Sequence, residues 1–161
     1  MDTITLNPIG IIHTPHKEIT YMPIQPVVAN GIKGYIELLP EYVQGLTDLD
    51  GFSHIILIYH FHKVQHYELM VTPFMDNTRH GLFATRAPKR PNAIGMSTVK
   101  LTGIEDNILY IEQVDMLDGS PLIDIKPFFQ KYDNRTKTKA GWLDKIKNIK
   151  PAQLMSDGRF R

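Results

Sequence analysis

Residues 94–114 read Ile94-Gly95-Met96-Ser97-Thr98-Val99-Lys100-Leu101-Thr102-Gly103-Ile104-Glu105-Asp106-Asn107-Ile108-Leu109-Tyr110-Ile111-Glu112-Gln113-Val114, and this stretch decides the fold. Ile94, Met96 and Thr98 alternate with Gly95, Ser97, Val99 and Leu101, the period-two pattern of a strand with two unlike faces. Asp106-Asn107 is turn chemistry, and Ile108 to Val114 is a second β-prone run, so the segment predicts an antiparallel hairpin. Phe52 to His62 is the most apolar run in the chain; it is β-branched and aromatic, and it predicts a central buried strand. Gly31 to Leu38 and Leu6 to His13 predict two further strands, and Gly81 to Thr85 a short one entering the loop Arg86 to Asn92. Pro15, Pro23 and Pro26 hold the region from Thr14 to Gln25 in a loop, because proline interrupts ladders and helices alike. Pro40 to Leu49 predicts a short helix and Pro127 to Tyr132 a helical turn. Trp142, Leu143 and Ile146 stand at helix-like spacing. Short strands with frequent turns, and no long helices between them, predict a mainly β fold: an antiparallel β-barrel with short helices and a basic C-terminal extension. The expected organisation is a barrel domain over residues 1–140, with 141–161 packed on it or trailing it.

A length of 161 residues suits one domain with a real core, and 42% hydrophobic with 22% charged residues is ordinary globular composition. No apolar run reaches the roughly 18 residues of a spanning helix, so no membrane partner is expected. The first residues, Met1-Asp2-Thr3-Ile4-Thr5, lack the basic and apolar regions of a secretory signal, and the expected location is cytoplasmic. The absence of cysteine removes disulfides, thiolate metal sites and cysteine nucleophiles. The net charge of +1 conceals an asymmetry. Residues 1–125 hold 8 Lys/Arg against 14 Asp/Glu, whereas residues 126–161 hold 10 against 3. Such a basic end could dock a phosphate backbone or simply be a solvated tail.

Neither a dinucleotide-binding glycine fingerprint nor a P-loop is present. His54, His60, His62 and His66 cluster around the central strand, a face that would suit zinc or iron if a carboxylate completed it; Glu68 is the nearest candidate. The residues 81–97 are more informative. Arg86, Lys89 and Arg90 fall within five residues, stiffened by Pro88 and Pro91, and arginine forks match carboxylate or phosphate oxygens. The residues 115–127 carry Asp115, Asp118, Asp124 and Lys126 around a Gly119-Ser120-Pro121 turn. Taken alone, Asp118-Gly119 is a turn and Asp124 with Lys126 a surface pair.

Together the two segments resemble the signature of the TsaA-like, or TrmO, family of tRNA N6-methyltransferases: G-x-F-A-T-R-[SA]-P-x-R-P-N-x-I-G-x-S, then D-x-x-D-G-[TS]-P-x-x-D-I-K-P. Ile9-Gly10-Ile11-Ile12-His13-Thr14-Pro15, Pro23-Ile24-Gln25, Phe52-Ser53-His54 with Phe61-His62, and Gly141-Trp142 add to the resemblance, which spans most of residues 9 to 142. Departures are Ala93, where the family often has Pro, and Phe128, where Tyr is usual. The separate C-terminal domain of some bacterial members is expected to be missing. The resemblance implies a β-barrel that binds S-adenosylmethionine, a homodimer, and methylation at N6 of threonylcarbamoyladenosine 3′ of the anticodon in tRNA. It implies a cofactor pocket of Pro23, Ile24, Gln25, His62, Lys63, Arg86, Leu117, Asp118, Gly119 and Ser120. Arg90, Asn92 and Lys126 are the expected substrate contacts, and the basic segment is expected to hold the anticodon arm. Asp118 and Asp124 are the candidate proton acceptors for a weakly nucleophilic N6, and no metal is required. Two other readings compete: a metal-dependent small-molecule enzyme on a cupin-like barrel, and a non-catalytic RNA-binding module.

Overall fold

The computed structural model describes residues 2–146, 149 and 151–160; Lys147, Lys150 and Arg161 of the basic extension lie outside them. Six strands close an antiparallel barrel: β1 (Gly10–His13), β2 (Lys33–Leu38), β3 (His54–His60), β6 (Ile94–Glu105), β7 (Ile108–Glu112) and β8 (Ser120–Pro127). Their order around the barrel is β1-β2-β7-β6-β3-β8, and β8 returns to pair with β1. Closure leaves these six strands without an open edge. Two short strands, β4 (Met70–Val71) and β5 (His80–Gly81), form a separate ribbon.

The alternation of β6 is reproduced in its burial: Gly95, Ser97, Val99 and Leu101 face inward while Met96 and Lys100 face out. With Ile12, Ile36, Leu38, Ile55, Leu57, Leu109, Ile111 and Leu122 they fill the barrel. Each fully buried Ile or Leu contributes about 1.5–3 kcal/mol of apolar transfer free energy.

Several expected elements are shorter or different. The strand expected at Leu6 begins at Gly10, since Pro8 has no N–H for a ladder. The expected helix at Pro40–Leu49 is a 3-10 turn over Pro40–Leu46, and Asp48, at φ +66°, separates it from a second such turn at Leu49–Gly51. Gly81 to Thr85 is not a strand: after β5, Leu82–Ala84 winds into a 3-10 turn, closed by the Thr85 N–H and hydroxyl on Leu82 O. A four-residue α1 (Gln130–Asp133) occupies the expected helical turn. Among the described residues no helix is long and apolar enough to cross a membrane.

The described residues after 140 pack on the β4–β5 ribbon and on loops beside the barrel. Trp142 stacks on His80 at 4.5 Å and donates from Nε1 to Ala84 O at 2.7 Å. Further on, Leu154 and Ser156 exchange backbone hydrogen bonds with Tyr21, Met22 and Ile24, and Phe160 packs edge-on against Phe74.

Candidate active site

One open end of the barrel carries a cleft of about 770 Å³, within the range of small-molecule sites. Its walls come from residues 22–25, the end of β3 with Phe61 to Val64, Pro73 to Met75, the loop from Phe83 to Pro88 with Arg90, the start of β6, and residues 115–117 with Ser120. Trp142, Leu143, Ser156, Asp157 and Phe160 also line it, so described residues after 140 are part of the cleft wall.

The three loop cations separate. Lys89 is buried and turns to Glu68 Oε1 at 2.8 Å. Arg90 donates to Thr85 O and Ala87 O, which pins the proline-stiffened loop, and lies 5.8 Å from the ring centroid of the exposed Phe83. Arg86 reaches across the cleft to Gln25 Oε1 at 2.7 Å. Thus Pro23, Ile24, Gln25, His62, Lys63, Arg86, Arg90, Leu117 and Ser120, all expected at a binding site, line one cleft. Burial, with the charges of Lys63 and His60, holds the His62 imidazole below its ordinary value, so it is neutral at pH 7.

Asp118, Gly119, Asn92, Asp124 and Lys126 are not among the cleft-lining residues. Asp118 faces a smaller recess of about 260 Å³ with His13, Lys17 and Tyr35. It accepts hydrogen bonds from Thr14 N–H at 2.9 Å and Lys17 Nζ at 2.6 Å. Burial works to raise its carboxyl, but these donors outweigh it and leave it below the ordinary value. The turn itself is shaped by Gly119 at φ +75°, whose N–H bonds Ile12 O, and by Ser120 Oγ donating to Leu117 O. Asp124 bonds Lys126 at 2.7 Å on the outer surface, as the surface-pair reading has it. Simple alternation would put Asp124 on the face of Ser120 and Leu122. A β-bulge skips Ile123 in the pairing with β3, so Ile125 faces the core instead and Asp124 points out.

Two carboxylates line the cleft, Asp157, which is paired with Arg159, and Asp115. Asp115 Oδ1 accepts a 2.6 Å hydrogen bond from Ser97 Oγ, which lies 3.2 Å from the Tyr59 hydroxyl. Ser97 and Tyr59 are 3% and 4% exposed. Burial pushes the Asp115 carboxyl up to about 6, against the Ser97 hydrogen bond and the charge of Arg86. Burial, and then the charge of Asp115, also raise the Tyr59 phenol, so it stays a donor. Gly95 makes room for this group. It sits opposite Tyr59 in the β3–β6 register, and a Cβ there would meet the Tyr59 ring at 2.5 Å. Sequence reading noted Asp115 in its motif without giving it a role. The available signal was the pairing of inward Ser97 with an acid just past β7.

The histidines do not converge. His54 sits by Ser53 and Phe128, His60 is exposed, and among the described residues no three His, Cys, Asp or Glu group to hold a metal.

Comparison with known proteins decides the lineage: the model of the tRNA-methyltransferase O N-terminal domain matches residues 11–134. The chain belongs to that family. A probable S-adenosyl-L-methionine-binding protein of Pyrococcus abyssi is 51% identical over 158 residues, 98% of this chain and 85% of that protein. A tRNA (adenine(37)-N6)-methyltransferase of Mus musculus is 35% identical, with 79% of this chain and 31% of that protein covered. The crystal structure of TrmO from Pseudomonas aeruginosa superposes with a TM-score of 0.74 at 36% identity, over 87% of this chain; the chain spans 62% of that one. The closed six-strand barrel is therefore the tRNA-methyltransferase O fold.

Proposed function

We propose that this protein transfers a methyl group from S-adenosylmethionine to N6 of an adenosine in tRNA, with N6-threonylcarbamoyladenosine 3′ of the anticodon as the substrate form. The observation that carries the reading is the convergence of Gln25, Arg86, Leu117 and Ser120, all from the family's motifs, on one cleft. The residues suit the cofactor. Arg86 and Lys63 offer cations to a carboxylate, Thr85 and Ser120 offer hydroxyls to a ribose, and Phe61, Met96 and Leu117 give apolar wall. When bound, S-adenosylmethionine supplies an electrophilic methyl: the N6 lone pair bonds to that carbon as the carbon–sulfur bond breaks and its electron pair stays on sulfur, leaving a thioether.

The chain's own contribution is positioning. Arg86, oriented by Gln25, fixes an anionic group. Arg90 stiffens the loop through its two carbonyl contacts, and neutral His62 adds no competing charge. The contacts from Thr14 to Asp118 and Met116 O tie the turn carrying Leu117 and Ser120 to the barrel. The basic segment from Lys126 onward is assigned to the anticodon arm, where phosphate contacts give binding that weakens steeply with salt. A homodimer is part of the same reading. The outward Ile11, Tyr35 and Tyr110 on β1, β2 and β7 are exposed apolar groups suited to self-association.

Calorimetry with S-adenosylmethionine, followed by transfer of its labelled methyl to tRNA carrying threonylcarbamoyladenosine, tests the reading. Binding and RNA labelling are expected. A protein that binds tRNA but not the cofactor would be a plain RNA-binding module, and a chelator-sensitive activity on small molecules would favour the cupin-like alternative.

A further inference from the structure

Transfer to N6 creates a proton that must leave, and neither outward carboxylate is at the cleft. Asp118 is held by Lys17 and Thr14 in the neighbouring recess, and Asp124 is bonded to Lys126 on the barrel exterior. Within the cleft, the acids are Asp115 and Asp157, and Asp157 is committed to Arg159, which donates to both its oxygens at 2.8 to 3.0 Å.

We infer that Asp115 is the proton acceptor of the reaction, positioned by the buried Tyr59–Ser97 hydroxyl pair. This rests on the methyl-transfer reading above. Tyr59 on β3 donates to Ser97 on β6, and Ser97 donates to Asp115 Oδ1, so the carboxylate is held at that oxygen while its residue lines the cleft. The carboxylate is held by the neutral Ser97 hydroxyl, itself backed by Tyr59, and forms no ion pair among the described residues. The charged and titratable groups acting on Asp115 are Arg86 across the cleft and Tyr59 behind Ser97. A carboxylate without a direct ion pair, in a site of low dielectric, remains a stronger base than a surface aspartate. The N6–H proton passes to an Asp115 oxygen as the new carbon–nitrogen bond forms. The resulting carboxylic acid then releases that proton to solvent through the open cleft, restoring the carboxylate. The raised titration of Asp115, to about 6, leaves it ionised at pH 7 yet basic enough to serve.

The test uses the full chain with S-adenosylmethionine and a tRNA carrying threonylcarbamoyladenosine. Asp115→Asn is expected to bind the cofactor within about threefold of wild type by calorimetry while kcat falls by about 10²–10⁴-fold, the range of general-base catalysis. Wild-type kcat/KM should rise with pH to a plateau, with a midpoint at or below about 6 because a bound cation lowers a neighbouring acid. Ser97→Ala should move that midpoint upward, and Asp115→Glu should recover part of the lost turnover. Infrared titration of the unliganded protein should show a carboxyl near 6 that Asp115→Asn removes. The inference is overturned if Asp115→Asn turns over like wild type, if its pH limb persists, or if it loses cofactor affinity while kcat at saturation is unchanged. Wild-type protein that neither binds the cofactor nor labels tRNA would instead overturn the underlying reading.

Discussion

Ser97 Oγ and Asp115 Oδ1 lie 2.6 Å apart although 18 residues separate them, because the β6–β7 hairpin folds the chain back on itself between them. The contact places a carboxylate against the barrel's inner face, where burial rather than a counter-ion dominates its titration.

That burial has a cost to the fold. The Asp115 carboxyl titrates near 6 in the folded chain against 3.8 unfolded, so the folded state binds the extra proton between those values. Stability from this group is therefore full below about pH 4 and is lost as pH rises through 6, a difference of about 3 kcal/mol. Asp115→Asn should raise the urea midpoint at pH 7 and leave it unchanged near pH 3.5. A variant less stable at pH 7 would refute the sign.

Gly95 is the steric complement of Tyr59. Gly95→Ala forces the Tyr59 ring off a contact of 2.5 Å, in a register that cannot slide without moving β3. The expected loss is about 1–3 kcal/mol of stability, as for overpacked cores. Turnover should fall with it, because the displaced ring carries the hydroxyl that holds Ser97 against Asp115. Parallel denaturation and methyl-transfer assays measure both.

Arg86 and Asp118 separate binding from scaffolding. Arg86→Ala should abolish cofactor binding detectable by calorimetry while the melting temperature holds, since Arg86 is exposed and bonds only the Gln25 side chain among described residues. Asp118→Ala removes the acceptor of the Thr14 N–H, and should cost about 1 kcal/mol of stability with the pH limb of kcat/KM intact.

Phe83 is 75% exposed at the cleft mouth, with Arg90 beside its ring. A ring so placed can stack an unpaired base, worth about 1–3 kcal/mol per base. Phe83→Ala should raise KM for tRNA by about 5–150-fold with cofactor affinity unchanged, and Phe83→Trp should retain activity.

The sequence by itself determined the barrel strands, since the period-two patterns of residues 33–38 and 94–101 and the apolar run at 54–60 are local and survive in the fold. It also marked two of the segments that line the cleft, because prolines, arginines and a Gly-Ser-Pro turn are written consecutively. It offered Asp118 and Asp124 as proton acceptors and gave no role to Asp115, the one of these three that lines the cleft. Strict alternation groups Asp124 with Ser120 and Leu122, and only the bulge opposite β3, a property of the pairing between two strands, turns it outward. Asp118 is withdrawn by Lys17 and Thr14, about a hundred residues upstream, and Asp115 is drawn in by Ser97 and Tyr59 from two other strands. Strand formation depends on neighbours along the chain, whereas the ionisation of a carboxylate depends on neighbours in space, and those exist only once the barrel has closed.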